Sequence, residues 1–267
     1  MNQLKSAAFA ATLMAIGAGS AVSAPLPAGW TLTGNGGTNT ADDGVVTLAP
    51  GASSYQWIST SGAPAGFGKL PVSPTGQETN GSFASTPTFT AAAGDKLNFF
   101  FNYITSDGAK YTEYAWAGLY KGASTFDSYL FTARTTTSGN TVPGNGLPGL
   151  GAGVTLLPAS SAIISGGPVF SPLGGSSGSC YSTGCGYTGW IKMNYTIPVA
   201  GTYSLGFGVT NALDQSYDTA FAIAGVSIND VAVDQGNGGG TVPAPGTLAL
   251  AAAALTGLAA LRRRKAP

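Results

Sequence analysis

The residue types that most often carry chemistry are sparse in this 267-residue chain, and histidine is absent altogether. That removes Ser-His-Asp and Cys-His catalysis, His-ligated zinc and imidazole proton shuttles. Glutamate occurs only as Glu78 and Glu113, and no carboxylate pair stands out by context as a glycosidase would require. No enzyme is expected. Cys180 and Cys185 enclose Tyr-Ser-Thr-Gly. The spacing is wider than that of a redox Cys-x-x-Cys pair and the two have no companions for a metal, so a local disulfide that clips a loop is expected.

Oxygen donors are the next resource. Asn211, Asp214 and Asp218 fall in a turn between two strong strand patterns, and Asp42 and Asp43 flank a turn near the first strand. Were the first and last strands neighbours, these five would converge on Ca²⁺; taken singly, they make Asx turns. Aromatic rings offer another chemistry, stacking on pyranose faces. Trp30, Trp57, Trp116, Trp190, Tyr111, Tyr114 and Tyr120 are available, most of them needed for a core. Tyr111, Tyr114 and Trp116 are the first ligand-binding candidates, because they follow the polar turn Ser106–Lys110.

The elements that must position these residues read as strands. Leu97, Phe99, Phe101 and Tyr103 alternate with Asn98 and Asn102, and Ile191, Met193, Tyr195 and Ile197 alternate with Trp190, Lys192, Asn194 and Thr196. Further strands are expected at 30–33, 45–48, 54–58, 82–90, 114–120, 128–133, 203–209 and 219–228, separated by Gly, Pro, Asn and Asp. About ten strands without a regular repeat make an all-β fold, an antiparallel two-sheet sandwich of jelly-roll type, the economical architecture. Residues 135–186 are rich in Gly and Ser and read as a long loop region, with a short strand at 154–157.

Charge divides the chain. Five of its 11 cations (Lys5, Arg262, Arg263, Arg264 and Lys265) are terminal, which leaves six in the body against all 11 acids. An acidic body does not suit nucleic acid. The first 24 residues, one Lys followed by an apolar run and small residues, have the plan of a signal peptide helix, with cleavage after Ala21, Ser23 or Ala24. The body is then 25–234, followed by a Gly-rich linker at 235–241. The apolar run Thr247–Leu261 is 15 residues long, roughly 22 Å as a helix against about 30 Å of hydrocarbon, which suits a transient anchor with its Arg cluster on the cytoplasmic side.

Residues 242–265 combine Val242-Pro243-Ala244-Pro245, the helix that begins Gly-Thr-Leu-Ala-Leu, and Arg262, Arg263 and Arg264. This stretch resembles the PEP-CTERM sorting signal of Gram-negative bacteria, with Ala244 where that family has Glu. The resemblance implies an exosortase-type membrane protease as partner, transient membrane anchoring, and release to the cell surface or surrounding matrix. Ala200–Phe207 resembles turns of secreted jelly-roll domains, and Tyr217–Val226 the closing strand of secreted PEP-CTERM proteins, with Ala224 and Gly225 in place of Asp-Asn. The expectation is an exported, non-enzymatic surface or matrix protein. The alternative is a module that binds exopolysaccharide, with Ca²⁺ as a stabilising ion.

Overall fold

The computed structural model describes residues 23–233. Residues 1–22 of the expected signal segment, the linker, the apolar C-terminal helix and the sorting motif (Val242, Pro243, Ala244, Pro245, Arg262, Arg263, Arg264) lie outside the described residues. Within them the chain is an antiparallel two-sheet β-sandwich. Its strands are β1 (Thr31–Thr33), β2 (Asn35–Asn39), β3 (Tyr55–Ser59), β4 (Glu78–Ser85), β5 (Phe89–Ala91), β6 (Lys96–Thr105), β7 (Tyr114–Lys121), β8 (Thr125–Arg134), β9 (Thr155–Leu157), β10 (Ile164–Ser165), β11 (Gly186–Tyr187), β12 (Ile191–Thr196), β13 (Gly201–Ala212), β14 (Thr219–Ile228) and β15 (Val231–Ala232). One sheet runs β1-β4-β13-β7-β8, with β5 also on β13. The other runs β10-β11-β6-β14-β3-β2, extended by β12 on β6, β9 on β12, and β15 on β14.

The alternation in the sequence puts one set of side chains between the sheets. Leu97, Phe99, Phe101 and Tyr103 of β6 and Phe221 and Ile223 of β14 meet Ala115, Ala117 and Leu119 of β7, Phe131 of β8 and Leu205, Phe207 and Val209 of β13. The opposite faces are buried too, which is why β13 is buried over its last ten residues rather than on alternate ones. Outside the β6–β14–β3 sheet, Tyr55, Trp57, Ile104, Ala220, Ala222 and Ala224 pack against Val46, Ala49, Phe170 and Leu173 from two loops. Outside the other sheet, Tyr114, Trp116 and Tyr129 lie under Leu70. Gly208 makes room for that second layer: it pairs with Trp116 across the ladder, and a Cβ there would collide with the indole.

Two sequence expectations are corrected, and one strand is added that the sequence did not suggest. Residues 45–48 form no strand; Val46 makes a single bridge with Asp43, and the segment serves as a lid on Trp57 and Tyr55. The expected strand 82–90 is two strands, broken around Pro87 between β4 and β5. Asn-Gly-Gly-Thr-Asn, a poor strand former by composition, is β2. There the glycines are required by close approach: a Cβ on Gly36 would lie 2.8 Å from the Trp57 carbonyl oxygen, and one on Gly37 2.9 Å from that of Ala24. Residues 135–186 are mostly loop, as expected, but the loop is a working part of the fold, with Val142 in the core and Phe170 and Leu173 covering a sheet.

Candidate functional site

Carried past the apolar run, the inward phase of four central strands reaches polar residues at the same end of the sandwich. From Tyr103 it leads to Thr105, from Phe221 back to Thr219, from Ala115 back to Glu113, and from Val209 on to Asn211. Thr219 and Thr105 are direct ladder partners. Thr210 pairs with Tyr114, so the next step of that ladder sets Asn211 beside Glu113. The irregularity at this end of β13 inserts its extra residue on β4, and the alternation of β13 is preserved. Asp107, two residues after β6, completes the group. None of the five is more than 2% exposed.

Their contacts are incomplete. Thr219 Oγ1 and Thr105 Oγ1 both donate to Glu113 Oε2, the latter at 3.1 Å, and the Tyr103 hydroxyl donates to the Glu113 carbonyl oxygen at 3.1 Å. Asp107 Oδ1 accepts from the Gly108 amide at 2.6 Å. Asp107 Oδ2, Glu113 Oε1 and both amide atoms of Asn211 have no partner. Burial, and then the facing Asp107, push Glu113 well above the usual carboxylate range. Burial chiefly, with Asp214 nearby, lifts Asp107 to about 6.

The Cys180–Cys185 disulfide forms, with Cα atoms 5.6 Å apart. Its loop closes over this end: the Tyr181 amide donates to Ser106 O at 2.9 Å and the Ala109 amide to Thr183 O at 2.8 Å. The loop also carries Tyr181, 47% exposed, whose ring lies 5.3 Å from Tyr111 and 5.1 Å from Tyr217. Lys110 Nζ sits 5.5 Å from the Tyr111 ring centroid. Three phenol rings and one ammonium thus share a surface at the disulfide.

The other ligand-binding candidates face elsewhere. Tyr114 and Trp116 are buried on the outer side of their sheet, where Trp116 Nε1 donates to Gly68 O at 2.7 Å and the Tyr114 hydroxyl donates to Glu78 Oε1 at 2.5 Å. They hold the 64–75 segment in place and present no ring to solvent. Burial disfavours charge on Glu78, but hydrogen bonds from Tyr114, from backbone amides and from Thr75 outweigh it and hold this carboxyl near 2, below its ordinary 4.5. Such a lowered pKa contributes stability that is complete above about 4.5 and disappears as pH falls toward 2. In urea unfolding, the advantage of wild type over Glu78→Gln is therefore expected to shrink steadily across that window; a difference that stays constant with pH would contradict this role.

The five expected metal ligands do not converge. Asn39, just before Asp42 and Asp43, pairs with Tyr55 at one end of β3, whereas Ser59 at the other end pairs with Ala220, two residues after Asp218. Four strand residues place these levels about 13 Å apart, and β3 stands between β2 and β14. Among the described residues no three of His, Cys, Asp or Glu gather closely enough to hold a metal. The donors act locally instead. Asp42 Oδ1 accepts from the Leu48 amide and Asp214 Oδ1 from the Ser216 amide. Asp43 and Asp218 pin the two ends of the short helical turn Ser171–Ser176: Asp43 accepts from the amide and hydroxyl of Ser171, and Asp218 from the hydroxyl of Ser176. Beside Asp43 lies a cleft of about 220 Å³ lined by Asn35, Asn39, Trp57 and Gly174, small for a sugar-sized ligand.

No protein-family model matches the chain, and no curated protein does. Solved structures similar to it are cleaved adhesin domains of Lys-gingipain. The K1 domain from Porphyromonas gingivalis is 13% identical over 77% of this chain and 98% of its own, with a TM-score of 0.32. The K3 domain of the same organism is 15% identical over 76% and 97%, with a TM-score of 0.33, and the K2 domain 12% identical over 74% and 89%, with a TM-score of 0.36.

Proposed function

We propose that this chain is an exported, non-catalytic β-sandwich of the cell surface or extracellular matrix, delivered by its N-terminal signal and sorted by residues 242–265. The observation that carries the reading is the disulfide that clips a surface loop, a bond suited to an oxidising compartment. The carboxylates support it as well: Asp43, Glu78 and Asp218 are spent on holding loops, and Asp107 and Glu113 are closed inside the core. The test is the mass of the exported protein. Removal of the leader and of the segment after residue 241 is expected, and an intact C-terminus in the exported fraction contradicts the sorting assignment. The amino end is expected at Val22 or Ala24, because Ala24 exchanges both backbone hydrogen bonds with Thr38, at 2.8 and 2.7 Å, and a start at Pro25 would delete that pair.

A second reading, recognition of extracellular polysaccharide, is favoured by the Tyr111–Tyr181–Tyr217 surface, since clustered, partly exposed phenols stack on sugar faces and hydrogen-bond their hydroxyls. On a glycan array, Tyr181→Ala is expected to abolish signals that wild type gives; wild type without signals contradicts this reading and leaves the first in place.

A further inference from the structure

The polar end of the core has an unmet need. Six buried side-chain nitrogen or oxygen atoms lack a partner among the described residues, and four of them are Asp107 Oδ2, Glu113 Oε1, and Asn211 Nδ2 and Oδ1. A buried carboxylate pair requires a compensating positive charge or a retained proton. Among the described residues no cation is placed to supply the charge. The Arg134 guanidinium is bonded to the Thr112 and Asn145 carbonyls and lies over the Tyr114 ring, toward the outer side of the sheet. The one ion pair among the described residues joins Lys121 to Asp127. The further acids near this end, Asp214 and Asp218, add to the negative potential on Asp107 and Glu113.

We infer that Asp107, Glu113 and Asn211, with the hydroxyls of Thr105 and Thr219, form a binding site for a divalent cation of the Ca²⁺ type, sealed beneath the disulfide loop. The donor set decides the class. It contains two carboxylates, one amide oxygen and two hydroxyls, and no imidazole or thiolate, which suits a hard cation and excludes zinc- or copper-type coordination. Coordination numbers of six to eight for Ca²⁺ leave room for backbone carbonyls or water beside these five. Two negative ligands balance the charge of the ion. A proton retained between Glu113 and Asp107 would pair those two carboxyl groups but leave Asn211 Oδ1 without a partner; coordination satisfies Glu113 Oε1, Asp107 Oδ2 and Asn211 Oδ1 together. The site differs from the set expected from the sequence: of those five residues, only Asn211 belongs to it. It is also independent of glycan recognition at the tyrosine surface.

The experiment is thermal unfolding of the processed, disulfide-bonded protein in EDTA and in increasing CaCl₂, together with a terbium titration. An ion that binds only the folded state raises the midpoint with the logarithm of its concentration, by about 5–10 °C at one hundred times the dissociation constant for a domain of this size. Tyr103, hydrogen-bonded to the Glu113 carbonyl, is placed to sensitise terbium emission, which Ca²⁺ should compete away at one ion per chain. Glu113→Gln is expected to abolish both signals. Should that variant not fold, Asn211→Ala and the wild-type terbium titration decide. An absent Ca²⁺ shift in wild type, or a shift that persists in folded Glu113→Gln, overturns the inference. Neither outcome bears on glycan binding, which the array reads separately.

Discussion

Phe101→Ala is expected to lower the stability of the domain by about 3–5 kcal/mol, the usual range for deleting a buried phenyl ring. Phe101 is fully buried on β6, and its ring centroid lies 3.7 Å from that of Phe131 in the facing sheet and 6.4 Å from that of Phe221 on the neighbouring strand. It therefore joins three strands in both layers at one point. Partial collapse cannot refill the space, because Phe131 and Phe221 are already stacked on each other at 5.0 Å. Urea unfolding should show the loss as a lowered midpoint with unchanged slope. Leu157→Ala, at a side chain 69% exposed, is the control and should stay within about 0.5 kcal/mol. Equal effects at the two positions would contradict the packing described.

The second large effect is expected at Asp43. The side chain is buried and accepts from the Ser171 amide at 3.2 Å, the Ser171 hydroxyl at 2.9 Å and Asn39 Nδ2 at 3.3 Å. Hydrogen bonds to a charged acceptor are worth about 1.5–3 kcal/mol, and donors left unpaired add their desolvation cost. Asp43→Ala should therefore destabilise by about 2–3 kcal/mol and loosen one end of the turn that seats Phe170 and Leu173 on the sheet. Faster proteolysis between residues 168 and 178 reports that loosening. The Ca²⁺ response should survive the substitution, since Asp43 stands a strand length from Glu113; its disappearance in folded Asp43→Ala would place the cation elsewhere.

Much of this fold was legible in the sequence, and the reasons are local. β6 and β12 carry large apolar residues at alternate positions, Leu97, Phe99, Phe101 and Tyr103 in one and Ile191, Met193 and Tyr195 in the other, a signal that survives without knowledge of neighbours. β2 does not: Asn-Gly-Gly-Thr-Asn becomes a strand because Trp57 and Ala24 press against it, a tertiary cause that no local propensity contains. Val45–Leu48 misleads in the opposite sense, since an apolar run suits a loop lid as well as a strand.

The candidate site divides the same way. The disulfide followed from spacing and compartment. The ligand-binding expectation at Tyr111, Tyr114 and Trp116 grouped residues adjacent in sequence, yet strand alternation and the turn before β7 send them apart, and the ring partner of Tyr111 is Tyr181, about 70 residues away, which in turn meets Tyr217. The metal expectation assumed that the first and last strands meet. β1 lies in the other sheet, β3 separates β2 from β14, and Asp43 and Asp218 fall at opposite ends of the strands. A usable signal for Glu113 and Asn211 did exist: the inward phase of β7 and β13, continued one step past Ala115 and Val209, lands on an acid and an amide. Only the register within each sheet, with the hydrogen bonds from Thr105 and Thr219 to Glu113, shows that these steps end at the same place.

Localisation is the most direct test of the account. The full-length chain and a version stopped after residue 235 should be expressed in a Gram-negative host that has an exosortase, then followed into periplasmic, membrane, surface and medium fractions. Surface or medium recovery of the full-length product, with the truncated domain folded but held in the periplasm, is the expected result. Identical fractionation of the two would contradict a surface protein sorted by its C-terminal segment.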